Sequence, residues 1–233
     1  QEIKSIAEVG KDLVGSLGHD GPLAGLSQNR VNISDFCKET VAVVTNPAID
    51  RERETEAFST ATIVGARPAI GVAPNPTDTL IELAIPLLSG GHPDLGDESI
   101  ALDIGESLGT ISLEELVAQF EGKISWLPLG VYSDETVQQA LDRLAHDAVN
   151  AAREGVQCLI LDDCQTVEEC PGWLDPHLAM STVNRALYDA EGPVNLRRRA
   201  GIVVRSASIR SLHDLIMLLG LGADAINPYA MFA

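Results

Sequence analysis

Aromatic side chains are scarce in this sequence, 4% of 233 residues, so any core it builds must be aliphatic. Lysine is equally sparse, confined to Lys4, Lys11, Lys38 and Lys123. Sixteen basic residues face 34 acidic ones, a formal net charge of −18. Such a surface repels a phosphate backbone, which excludes nucleic acid as a partner and disfavours an anionic membrane surface. Four cysteines, Cys37, Cys158, Cys164 and Cys170, are too few for a secreted disulfide scaffold and point to a reducing cytoplasm. No apolar run approaches the roughly 20 residues that span a bilayer, and no signal-peptide pattern is found. The first residue is Gln1 rather than Met, as expected of an excised or processed piece or of trimmed numbering.

What is present is ordinary for a globular chain: 45% hydrophobic and 21% charged residues. The length suits one sizeable core. Runs rich in Ala, Leu, Ile and Val suit helices packed on a sheet. The opening, from Gln1 to about Asn32, carries Gly10, Gly15, Gly18, Gly21 and Gly25, too many for a stable helix, and reads as an extended arm. A helix is expected to start at Ser34 and to end near Val44, before Asn46-Pro47. A charged stretch follows through residue 60. Prolines and glycines cluster between about residues 66 and 96, with a short strand expected around 81–85.

Beyond residue 97 the pattern becomes regular. Strands are expected at 99–104, 123–132, 158–161, 202–204 and 225–226, with Pro128 marking an edge or a bulge. Helices are expected from Ser112 to near Gly122, from Asp134 to about Glu154, at 177–190 and at 208–219. In the second of these, Val137, Ala140, Leu141, Leu144, Ala148, Val149 and Ala152 recur at three- and four-residue steps. The alternation implies an α/β fold of mostly parallel β/α units, 97–233, in a partial or irregular barrel-like arrangement. An open doubly wound sheet is the alternative.

Chemistry-bearing motifs are few. Cys158, Cys164 and Cys170 are evenly spaced, as thiolate ligands can be, but they lack a Cys-x-x-Cys knuckle and Cys158 sits in an apolar strand. No Gly-x-Gly-x-x-Gly or Gly-Lys-Ser/Thr loop occurs, and Gly220 and Gly222 suit a tight turn out of the preceding helix. Asp162-Asp163 ends a strand where β/α folds gather ligands, although acidic pairs there also serve as caps and solvated loops. His146 beside Asp147 and His213 beside Asp214 read as surface charge, and Arg197-Arg198-Arg199 as a solvated loop. No Gly-x-Ser-x-Gly elbow is present. The residues describe a fold without describing a reaction.

Three stretches carry a family resemblance. Ser16-Leu17-Gly18-His19-Asp20-Gly21-Pro22-Leu23-Ala24 is followed, at matching spacing, by Val44-Thr45-Asn46-Pro47-Ala48-Ile49-Asp50 and Arg53-Glu54. Gly155–Asp162 resembles a Gly-x-x-x-Leu-Ile-Leu-x-Asp strand, whose final Asp falls at Asp163, and Leu218–Tyr229 runs Leu-Leu-Gly-Leu-Gly-Ala-Asp-Ala-Ile-Asn-Pro-Tyr. Together these resemble the central domain of the glutamate synthase large subunit, over nearly the whole chain except about 60–124.

The resemblance implies one non-catalytic domain, without a cofactor or metal of its own, joining a glutaminase domain to an FMN-binding synthase domain. FMN and an iron–sulfur cluster belong to that partner domain. It also implies that Leu17, Thr45 and Asn46 line the entrance of an ammonia tunnel. Leu17 replaces the family's usual Met, a near-isosteric change. Arg205-Ser206-Ala207-Ser208-Ile209 stands where the family often has Glu-x-Gly-Glu-Ala, and Cys164 where Arg is common. Two other readings use the same residues. One is a self-contained β/α enzyme holding a flavin or a metal near Asp162, Asp163 and the cysteines. The other is a scaffold or regulatory protein that kept the fold.

Overall fold

The computed structural model describes residues 23–28, 31–38, 59–91, 109–166, 170–190, 192 and 195–231. The arm 1–22, the helix expected beyond Lys38, the charged stretch to residue 58 and the strand expected at 99–104 lie outside these.

In chain order the elements are β1 (Thr62–Gly65), β2 (Leu80–Leu83), α1 (Leu113–Gln119), β3 (Ile124–Pro128) and β4 (Gly130–Val131). Then follow α2 (Val137–Arg153), β5 (Cys158–Asp162), β6 (Gly172–Trp173), α3 (Pro176–Asp189) and α4 (Leu196–Arg199). The chain continues with β7 (Gly201–Arg205), α5 (Leu212–Gly220) and β8 (Ala225–Asn227). Short 3-10 turns occupy Ala24–Leu26, Ile33–Cys37 and Tyr229–Met231.

Helix starts follow local chemistry. Ser112 with Glu115, Thr136 with Gln139 and Ser211 with Asp214 form reciprocal capping boxes that satisfy N–H groups the helix itself leaves open. Asp175 caps α3 ahead of Pro176, whose missing N–H costs nothing at a first helical position. At the far end of α5, Gly222 adopts φ +113°, and a Cβ there would stand 2.7 Å from the Asn184 side chain.

Strands β3, β5, β7 and β8 form one parallel sheet in that spatial order. The order repeats the chain order, so the sheet winds in one direction, as in a segment of a β/α barrel. Among the described residues the barrel does not close. Because strand side chains alternate, each strand feeds two cores. Leu159, Leu161, Ile202, Val204 and Ile226 pack with α2, α3 and α5 on one face. Cys158, Ile160, Val203 and Ala225 pack on the other face with α1 and the antiparallel β1–β2 hairpin. Gly201 admits the hairpin closely: a Cβ there would lie 2.5 Å from the Gly65 amide nitrogen.

Two expectations need correction. The single strand expected at 123–132 is split. β3 stops at Pro128, which has no N–H to continue a ladder, and it pairs with β5 alone among the described strands. Gly130–Val131 then turns away to pair antiparallel with Gly172–Trp173. Ser34 does not cap a helix. Asn32 takes the cap position of a five-residue 3-10 turn, and Ser34 is buried inside it. Among the described residues no helix is long and apolar enough to cross a membrane.

Candidate functional site

The carboxyl ends of parallel strands are where β/α proteins bind ligands, because the loops there converge and the backbone is free of the ladder. Here those ends bring together Asp162 at the end of β5 with Asp163 just beyond it, Arg205 at the end of β7 with Ser206 just beyond it, and Asn227 at the end of β8 with Tyr229 two residues on. Asp163 is buried and fully engaged. It accepts from the Ser206 hydroxyl at 2.5 Å, the Tyr229 hydroxyl at 2.9 Å, the Ala207 N–H at 3.1 Å and the Trp173 indole N–H at 3.4 Å. Burial and the Asp163 charge push the Tyr229 phenol far above its ordinary range, so it stays a donor.

Asp162 faces Arg205 at 3.3 Å and accepts from the Cys164 N–H at 3.0 Å. Burial raises the Asp162 carboxyl above the usual carboxylate value, against the lowering effect of the Arg205 charge. The Arg205 guanidinium sits between the Trp126 and Tyr229 rings, 5.8 and 5.3 Å from their centroids, and donates to the Gly91 carbonyl. Asn227 donates to the carbonyls of Leu88, Ser89 and Gly90, tying the loop before α1 to the end of β8. A cleft of about 220 Å³ opens beside this cluster, lined by Trp126, Pro128, Tyr132, Asp162, Thr166 and Cys170 among others.

This arrangement orders loops and is poorly suited to acid–base chemistry. A general base must reach a substrate proton, yet Asp163 already accepts four hydrogen bonds and Asp162 is held by a cation. The cysteines do not converge either. Cys158 lies on the hairpin face of β5, and burial, with the charge of Asp224 behind it, pushes its thiol far above the ordinary range, the opposite of what a thiolate ligand needs. Among the described residues no group of three His, Cys, Asp or Glu side chains is placed to hold a metal ion. A flavin phosphate would meet Asp162 and Asp163 here, with the Arg205 guanidinium already engaged by Asp162 and the Gly91 carbonyl, so these strand ends do not fit that group.

Elsewhere the structure revises the surface readings. His146 is exposed beside Asn150, as expected. Asp214 is instead buried, accepting from Ser34, from the N–H groups of Arg210 and Ser211, and from the Ser211 hydroxyl at 2.9 Å. His213 contacts the Ser34 carbonyl at 2.8 Å. These bonds fasten the turn Ile33–Cys37 onto the start of α5.

The triple arginine is not a solvated loop but the helix α4, and all three side chains bond inward. Arg197 reaches Asn184, the carbonyls of Ala200 and Gly222, and Asp224 at 3.0 Å. Arg198 donates to the Pro68 carbonyl, and Arg199 pairs with Asp78 at 2.7 Å. The network gathers the residues that enter β5, β7 and β8 and closes the amino ends of the sheet with the 66–79 loop. A spacing rule could not find it, because Asp78 and Asp224 lie 121 and 27 residues away. Tyr229, Ser206 and Trp126 were not read as site residues from the sequence, since Tyr229 and Ser206 reach Asp163, and Trp126 reaches Arg205, only through strand order. The three residues assigned by resemblance to the tunnel, Leu17, Thr45 and Asn46, lie outside the described residues.

Comparison with known proteins shows what the chain is similar to. The family model described as glutamate synthase central domain matches residues 1–233. The chain is 32% identical over 228 residues to the glutamate synthase [NADPH] large chain of Bacillus subtilis, covering 98% of this chain and 13% of that protein. It is 33% identical over 235 residues to the chloroplastic ferredoxin-dependent glutamate synthase of Spinacia oleracea, covering 97% of this chain and 13% of that protein. With the glutamate synthase [NADH] of Schizosaccharomyces pombe the identity is 27%, over 96% of this chain and 10% of that protein. The chain thus spans about a tenth to an eighth of the length of these relatives, and it belongs to the glutamate synthase central domain family.

Proposed function

We propose that the chain is the non-catalytic connecting domain of a glutamate synthase, joining the glutaminase domain to the FMN-binding synthase domain and helping to line the ammonia passage between them. On this reading FMN and the iron–sulfur cluster sit in the synthase domain. The observation that carries the proposal is the family match along all 233 residues, combined with strand ends whose acids are closed on internal donors. Ammonia must travel shielded from bulk water, because protonation would trap it as ammonium. The Thr45 hydroxyl and the Asn46 amide can pass hydrogen bonds along such a path without carrying charge, and Leu17 supplies an apolar gate.

The test is made in the whole enzyme. Thr45→Trp and Asn46→Trp should raise the number of glutamines hydrolysed per glutamate formed, with glutaminase activity retained. Unchanged coupling in both variants would remove the gating role. The 233-residue chain, purified anaerobically, should be colourless. Flavin bands or an iron–sulfur shoulder in its visible spectrum would place cofactor chemistry here instead.

A further inference from the structure

His177 is the least expected polar residue of the core. It lies in the first turn of α3, is 2% exposed, and both its ring nitrogens face acceptors. Nδ1 is 3.1 Å from the Asp175 carboxylate, and Nε2 is 3.2 Å from the Asp214 carbonyl oxygen. A neutral imidazole has one N–H, so it can satisfy only one of these acceptors and must turn a lone pair towards the other. The doubly protonated ring satisfies both. The same Asp214 holds the turn Ile33–Cys37, through the Ser34 hydroxyl on its carboxylate, while His213 closes on the Ser34 carbonyl.

We propose that His177 is a buried imidazolium bridging the starts of α3 and α5, and that its proton controls how firmly the turn Ile33–Cys37 is clasped to the body of the domain. The ionised groups acting on the ring are Asp175 on its own helix and Asp214 on α5. The turn contributes the uncharged Ser34, and its own ions, Asp35 and Lys38, close on each other at 2.7 Å. Arg210 reaches Asp214 through its backbone N–H. Burial alone would lower the His177 value, but the hydrogen bond and charge of Asp175, followed by Asp214, outweigh it and leave it raised. A raised folded value contributes stability that is whole below the unfolded value of about 6.5 and is lost as pH rises through the folded value. The clasp is therefore closed in mild acid and loosens in base. It rests on this chain's own residues and stands whether or not the connecting role does.

The experiment uses the 233-residue chain labelled uniformly with 15N, which reports both the histidine ring nitrogens and the backbone N–H groups. Below pH 6.5 both His177 nitrogens should read as protonated, and its midpoint should lie above 6.5. Hydrogen exchange at the Asp35 N–H, which donates to the Asn32 carbonyl, should accelerate relative to intrinsic rates as pH passes that midpoint. Asp175→Asn keeps a capping oxygen while removing the charge, so the midpoint and the exchange transition should both move to lower pH. A single-N–H tautomer at pH 6, or a midpoint at or below 6.5 in the unaltered chain, would overturn the imidazolium. Turn protection that ignores the His177 titration would overturn the clasp.

Discussion

Asp224→Ala is the substitution that best separates the tertiary network from the solvated-loop reading of the arginines. Asp224 is 5% exposed and accepts from the Arg67 guanidinium at 2.9 Å, the Arg197 guanidinium at 3.0 Å and the Ile202 N–H at 2.8 Å. Removing it strands Arg197, which burial already holds below its ordinary range, and deprives the entry to β7 of an acceptor. Breaking a buried pair from one side costs about 3–5 kcal/mol, because the remaining charge stays desolvated. Arg197→Met differs in kind. Asp224 keeps Arg67 as a partner and no charge is abandoned, so the loss should be smaller, about 2 kcal/mol. Urea unfolding of the two variants gives both values from midpoints at constant slope. In a thermal scan the Asp224→Ala loss corresponds to roughly 6–20 °C for a chain of this size. A loss under about 1 kcal/mol for Asp224→Ala, the value of a surface pair, would refute the network. So would a larger loss for Arg197→Met than for Asp224→Ala.

Gly222→Ala combines a left-handed φ with a Cβ placed against Asn184, so it should destabilise by about 1–3 kcal/mol in the same assay, whereas Gly220→Ala, with open space around it, should not. The Cys158 thiol should resist a thiol reagent in the native chain and react only on unfolding, while the exposed Cys37 reacts at once; mass-mapped labelling reads both. Asp78 is held below the usual carboxylate range by the Arg199 hydrogen bond, and Asp214 likewise, with Ser34, Arg210 and Ser211 overcoming burial. Depressed folded values contribute stability that is present above the unfolded value of about 3.9 and lost as pH falls through the lower folded values. Acid unfolding should thus begin below about pH 4, and Arg199→Met should weaken the Asp78 share of it.

Periodicity and capping chemistry, both local, were enough to place α1, α2, α3, α5 and the parallel strands to within a few residues. Ser112, ahead of α1, and Gly155, past the end of α2, mark boundaries in the sequence because caps and stops act over three or four positions, whereas the expected start of α2 at Asp134 falls two residues short of its Thr136 cap. Pro128 likewise announced an edge, though not that the strand would divide behind it. The family was legible as well, since the stretches at Gly155–Asp162 and Leu218–Tyr229 keep their order and spacing.

What the chain itself could not declare is partnership. Arg197, Arg198 and Arg199 read as solvated because charge in a short segment usually is. Only the sheet order brings Asp78 and Asp224 to them from 121 and 27 residues away. His213-Asp214 read as surface charge until the turn at Ser34, 180 residues earlier, covered it. Asp163 read as a potential site acid until strand packing set Tyr229 and Ser206 against it and turned it into the anchor of three loops. Local rules decide which backbone hydrogen bonds form. Burial decides which charges must find partners, and burial exists only once the sheet, its hairpin and its helices have closed on one another.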